Sequence, residues 1–132
     1  MNEKKKILVV DDDKDYIKFV RTVLTREDFD VISAMDGKEG LTKATTECPD
    51  LIILDVIMPE EDGWEICEKL RSCVELEKVP IVYLTSVDSP KSLYMDHGAF
   101  EADWDEYLTK PVSPKVLLTT VRKLLRNSTS TV

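Results

Sequence analysis

A chain of 132 residues, 42% hydrophobic and 33% charged, suits one domain with one core and a well-solvated surface. With 18 Lys+Arg against 26 Asp+Glu its formal net charge is −8, which argues against direct nucleic-acid or anionic-membrane binding and points to cations and basic protein surfaces. Only four apolar residues follow Glu3-Lys4-Lys5-Lys6, so neither a signal peptide nor a membrane span is expected. Cys48, Cys67 and Cys73 show no CxxC spacing and suit free thiols in a reducing cytoplasm, two of them on buried helix faces.

Ile7-Leu8-Val9-Val10 is apolar at every position, the pattern of a strand covered on both faces, and it ends in Asp11-Asp12-Asp13. Tyr16, Phe19, Val20, Val23 and Leu24 then fall on one helical face. Val31 to Ala34 is a weaker strand. Asp36 caps a second helix, with Glu39 at the capping-box position and Leu41, Ala44 and Cys48 turned inward. Leu51-Ile52-Ile53-Leu54 reads as the central strand and presents Asp55 at its tip, after which Pro59 ends regular structure. Asp62, with Glu65 following, caps a third helix whose Ile66, Cys67 and Leu70 face the core. Val79 to Leu84 is the fourth strand, with Pro80 at its entry, and it ends at Thr85-Ser86. Ser89-Pro90 opens a weakly patterned helix, and Tyr107-Leu108-Thr109 forms the last strand before Lys110-Pro111, a bond that invites the cis form. Ser113-Pro114 opens the final helix, carrying Leu117, Val121 and Leu124, and residues 127–132 read as a polar tail. Strand and helix alternate five times, the pattern of an α/β fold with a parallel sheet between two helical layers.

Ligands of open parallel sheets sit beyond the carboxyl ends of the strands. The tips here carry Asp11 and Asp12, then Asp55, Thr85 and Lys110. Carboxylates this close repel one another unless a cation resolves the charge, and oxygen ligands of this kind suit Mg²⁺. Thr85 offers a hydroxyl and Lys110 a point charge for a phosphoryl oxygen. Taken singly, each has an ordinary reading: an acidic run can be a polar turn with a helix cap, and Asp55 itself could cap a helix. Their joint occurrence at four strand ends is the informative signal.

Val9-Val10-Asp11-Asp12, Asp55 with Met58-Pro59 and Asp62-Gly63, Leu84-Thr85-Ser86, and Tyr107-Leu108-Thr109-Lys110-Pro111 together resemble the receiver domain of bacterial two-component response regulators, of the chemotaxis-regulator type. The resemblance runs from about residue 5 to 126. It implies a flavodoxin-like, five-stranded doubly wound sheet of strand order 2-1-3-4-5. It further implies that Asp55 accepts a phosphoryl group from a sensor histidine kinase or a histidine phosphotransfer protein. Asp11, Asp12, Asp55 and the backbone carbonyl of Ile57 would hold Mg²⁺. Thr85 and Lys110 would meet the phosphoryl group, and Tyr107 would change position with Thr85. A downstream protein target or an output domain would read the switch. The protein would be cytoplasmic, a phosphoacceptor and not an enzyme in its own right.

Two departures from the family pattern stand out. The stretch between Thr85 and Lys110 is long, with residues 100–106 reading as a small insertion, so partner recognition does not transfer. Ser86 stands where Ala is common. Three rivals are weaker. A haloacid-dehalogenase-type phosphatase also uses a strand-end Asp with Mg²⁺, but needs a second acid two residues on, where this chain has Ile57. A pseudo-receiver would have lost an Asp or the Lys. A flavodoxin would not put Asp11-Asp12-Asp13 against a bound phosphate. Ile57 and Val87 are both apolar where a polar side chain could hold a hydrolytic water, so a phosphorylated lifetime nearer hours than seconds is expected.

Overall fold

Strands that are apolar at every position have two faces to bury, and the fold provides a cover for each. The computed structural model describes residues 4–55, 57–58, 61–86 and 105–129. Five strands, β1 (Lys6–Val10), β2 (Asp30–Ala34), β3 (Leu51–Leu54), β4 (Ile81–Thr85) and β5 (Glu106–Thr109), form one parallel sheet in the order β2-β1-β3-β4-β5. The helices described are α1 (Lys14–Thr25), α2 (Gly37–Glu47), α3 (Gly63–Arg71) and α4 (Pro114–Thr129).

Alternate strand residues divide between two cores. Ile7, Val9, Ile53, Val82 and Leu84 pack with Val20 and Leu24 of α1 and with Leu117 and Val121 of α4. Leu8, Val10, Ile52, Leu54 and Tyr83 pack with Ala44 of α2 and with Ile66 and Leu70 of α3. Each fully buried aliphatic side chain contributes about 2 kcal/mol of transfer free energy, which is why the central strands tolerate no polar residue before their tips. The approach of α2 is especially close, because a Cβ at Gly40 would stand 2.9 Å from Val10 Cγ2.

The starts of α1, α2 and α4 follow the expected chemistry, with one difference. Asp13 accepts from the backbone N–H groups of Asp15 and Tyr16, and Asp36 accepts from that of Glu39 at 2.7 Å. Glu39, however, reaches past the capping residue to accept from the Met35 N–H at 2.9 Å, so the reciprocal half of the capping box closes one residue earlier. Ser113 Oγ accepts from the Val116 N–H, with Pro114 as the first helical residue of α4.

Other expectations are corrected. Cys48 is not on the inner face of α2. It ends the helix in the left-handed conformation, φ 48°, and is exposed, while Cys67 is buried and Cys73 lies between. Regular structure does not stop at Pro59: Ile57–Met58 pairs antiparallel with Glu61–Asp62 in a two-stranded ribbon ahead of α3. α4 continues to Thr129, so residues 127–129 of the expected tail are helical. The helix expected from Ser89-Pro90, the apparent insertion through residue 104 and Val87 lie outside the described residues.

Two polar arrangements had no sequence signal. Arg71 Nη1 donates to Val79 O at 2.6 Å, and its Nη2 pairs with Asp105 Oδ2 at 2.7 Å. Asp105 Oδ2 also accepts from Ile81 N at 2.8 Å, so one ion pair ties the end of α3 to the entries of β4 and β5. On the outer edge of the sheet, Arg21 Nη1 donates to Val31 O at 2.9 Å and Lys43 Nζ donates to Ser33 O at 2.5 Å.

Candidate functional site

Ladder hydrogen bonding continues one residue past the strands and brings their tips together. Asp55 N donates to Val10 O at 3.0 Å, setting Asp55 beside Asp11, and Lys110 N donates to Thr85 O at 2.8 Å on the other side of the sheet's centre. The acidic turn after β1 divides its labour. Asp13 caps α1, Asp12 is exposed, and Asp11 turns inward with its Oδ1 accepting from Asp13 N at 2.9 Å. The plain reading of that run as turn plus cap holds for Asp13, while Asp11 points into the cluster at the strand tips.

Asp11 and Asp55 are 3% and 5% exposed, a depth at which carboxylates require partners. Lys110 supplies one for both: its Nζ lies 2.8 Å from Asp11 Oδ2 and 3.1 Å from Asp55 Oδ2. The Lys110–Pro111 bond is cis. Asp11, Asp12 and Asp55 each offer a carboxylate oxygen within 4.8 Å of the others. Against three carboxylates the cluster sets one ammonium, so it remains negative, which suits a divalent cation held by oxygen ligands. Ile57 follows Asp55 by two residues, as the first residue of the ribbon.

The electrostatics show the strain of this crowding. Burial, the largest influence, lifts the Asp11 carboxyl above its ordinary range, and Asp55 adds to it, against the lowering effects of the Lys110 and Asp13 hydrogen bonds. For Lys110, burial pulls the ammonium downward, yet the Asp11 and Asp55 carboxylates together outweigh it and the net shift is upward.

Thr85 is fully buried, and its hydroxyl has no hydrogen-bond partner among the described residues. A buried hydroxyl without a partner costs about 1–3 kcal/mol, and this one stands at the end of β4, where the Thr85 carbonyl accepts from Lys110 N. Tyr107 pairs in register with Tyr83, and the two rings meet edge to face at 6.3 Å. By strand alternation Tyr83 and Thr85 lie on one face of the sheet, so Tyr107 shares the threonine's side. Tyr16 was legible only as part of an apolar stripe. Its ring lies under Lys110, with Nζ 4.5 Å from the centroid, and its hydroxyl accepts from Val112 N at 3.0 Å.

The family model of the response regulator receiver domain matches residues 7–122. The chain belongs to that family. Among curated relatives, the chain is 44% identical over 126 residues to the alkaline phosphatase synthesis transcriptional regulatory protein PhoP of Bacillus subtilis, covering 94% of this chain and 50% of PhoP. The receiver domain thus spans about half the length of the first relatives it matches. Among solved receivers, the chemotaxis protein CheY4 of Vibrio cholerae superposes with a TM-score of 0.82 at 31% identity, covering 92% of this chain and 99% of that one. A two-component response regulator from Clostridium difficile gives a TM-score of 0.83 at 30% identity, covering 96% and 100%. Among the described residues of this receiver, no helix is long and apolar enough to cross a membrane.

Proposed function

We propose that this receiver domain, residues 5–126, is a phosphorylation-dependent switch that accepts a phosphoryl group on Asp55. One observation carries the reading: Lys110 Nζ lies within 3.1 Å of both Asp11 and Asp55, three residues from three separate strand ends, while a fourth strand ends in Thr85 with its buried hydroxyl unpartnered among the described residues. An Asp55 oxygen attacks phosphorus, forming an acyl phosphate as the bond to the donor's histidine nitrogen breaks and the nitrogen keeps the electron pair. Little further covalent chemistry is needed from the protein, whose task is to position and to neutralise. Asp11, Asp12, Asp55 and the Ile57 carbonyl would hold Mg²⁺, which supplies charge neutralisation at the phosphoryl oxygens. Lys110 moves from the Asp55 carboxylate to a phosphoryl oxygen, and Thr85 gains the hydrogen-bond acceptor it lacks.

That gain is the switching event. Thr85 is drawn toward the new acceptor, space opens on its face of the sheet, and Tyr107 takes it up, changing the surface around β5 that a partner reads. The phosphoryl donor is a sensor histidine kinase or a histidine phosphotransfer protein, and the reader is a protein target or an output domain joined to the receiver. PhoP is by its name a transcriptional regulatory protein, which favours a joined output domain. Any contact with nucleic acid would then belong to that domain and not to this acidic one.

Incubation with acetyl phosphate and Mg²⁺, followed by intact-mass measurement and peptide mapping, tests the proposal. One added phosphoryl group on Asp55 is expected. Full labelling of Asp55→Asn would overturn the assignment. Backbone NMR with a phosphoryl mimic should show shifts reaching β5, and shifts confined to the Asp55 pocket would refute the switch.

A further inference from the structure

We infer that Tyr16 is a positioning residue for Lys110, holding its ammonium where it can pass from the Asp55 carboxylate to a phosphoryl oxygen. This rests on the phosphoryl-transfer reading above. Tyr16 lies in the first turn of α1, the helix capped by Asp13 at the end of the acidic turn. It contacts Lys110 and the backbone shortly beyond it. Its ring lies beneath the ammonium, with Nζ 4.5 Å from the centroid, and its hydroxyl accepts from Val112 N at 3.0 Å, two residues beyond the lysine. One side chain therefore contacts both the charged end of Lys110 and the backbone two residues past it. Phe19 fixes the ring from the side, edge to face at 5.4 Å.

Tyr16 packs against the margin of the core, but packing alone calls for neither the Lys110 nor the Val112 contact. The buried residues of α1 are Ile17, Val20, Val23 and Leu24, and Tyr16 is only half-buried beside them. The ring's chemistry suits a lysine that has to re-aim. Asp11 Oδ2 and Asp55 Oδ2 take hydrogen bonds along fixed directions, whereas an aromatic face attracts a cation over its whole area. When Asp55 becomes an acyl phosphate, Nζ loses that carboxylate as a partner and turns toward phosphorus while keeping the ring beneath it. The hydroxyl latch on Val112 keeps the segment after the strand from drifting with it. The acidic turn and the lysine, about 100 residues apart in the sequence, are thus joined through the first turn of α1.

Two readouts test the proposal. In the metal-free, unphosphorylated protein, the Lys110 ε-methylene protons should show a ring-current upfield shift by NMR, kept in Tyr16→Phe and lost in Tyr16→Leu. In saturating Mg²⁺ and acetyl phosphate, Asp55 labelling should slow about twofold in Tyr16→Phe and about five-fold or more in Tyr16→Leu, with Mg²⁺ affinity unchanged in both. Tyr16→Met, of similar volume but without an aromatic face, replaces the Leu variant should that one not fold. Labelling of Tyr16→Leu at the wild-type rate, an unshifted Lys110 signal in the wild type, or a parallel loss of Mg²⁺ affinity would each overturn the role of Tyr16. A wild-type protein that takes no label at all would instead sink the phosphoryl-transfer reading, and this role with it.

Discussion

Replacing Asp11 with Asn should make the metal-free receiver more stable. At an effective dielectric constant of about 20, its attraction to Lys110 across 2.8 Å is ~6 kcal/mol, and its repulsion from Asp55, whose oxygen lies within 4.8 Å, is at least ~3.5 kcal/mol. Asp12 adds a smaller repulsion, because it is exposed and screened by water. The Coulombic balance is therefore slightly favourable, and desolvation of a carboxylate that is 3% exposed, several kcal/mol, decides the sign. Asn keeps an acceptor for the Asp13 N–H, leaves Lys110 paired with Asp55 and removes the buried charge. The expected gain is about 1 kcal/mol, or about 3–5 °C in Tm in EDTA at pH 7. Burial holds the Asp11 carboxyl above its ordinary 3.8, so the folded state binds this proton more tightly than the unfolded chain does. Protonation thus returns stability to the wild type, and the gap between variant and wild type should close as pH falls through the window just above that value. Thermal melts in EDTA between pH 4 and 8 measure both effects. An Asp11→Asn protein that melts below the wild type at neutral pH would refute the reasoning.

Mg²⁺ at about one hundred times its Kd should stabilise the wild type by ~2.7 kcal/mol through linkage, and an equal rise in Asp12→Ala would count against the three-carboxylate site. Gly40→Ala should cost about 1 kcal/mol in urea unfolding, because overpacking against Val10 at 2.9 Å outweighs the gain in helix propensity; a more stable variant would show that α2 can shift outward at no cost. Arg71→Ala should cost about 2 kcal/mol, and the double variant with Asp105→Ala less than the sum of the single losses, whereas strict additivity would mean that the two do not act together. Ile57→Asn combined with Val87→Glu should shorten the lifetime of the acyl phosphate markedly, as followed by intact mass; loss of the label from the unmodified protein within seconds would contradict the expectation drawn from those apolar residues.

The sheet and the cluster at its tips were legible because their signals are local and strong. Unbroken apolar runs such as Leu51 to Leu54, bounded by turn residues, suit strands buried on both faces, and once strands are parallel their last residues converge. Asp11, Asp55, Thr85 and Lys110 were therefore placed together before any coordinate. From Ile7 to Val10 β1 is buried as fully as β3, so Asp11 and Asp55 both stand at the tips of covered strands. What was not legible depends on long side chains reaching between distant segments. Nothing around Arg71 announces Asp105, and an amphipathic stripe does not tell that a tyrosine packed against the core also lies under a lysine. Cys48 was misplaced because a helical period extrapolates past the residue where the backbone turns left-handed.

Arg21 and Lys43 occupy the carbonyls of Val31 and Ser33 that face away from β1. A bare strand edge is a template on which another chain can add itself, and β2 is the border where this sheet would otherwise grow. With guanidinium and ammonium groups seated on that border, an incoming strand would have to displace two cations before making its first backbone bond. The sheet is guarded against extension on that side, so adventitious pairing is left with the opposite border, the β5 edge.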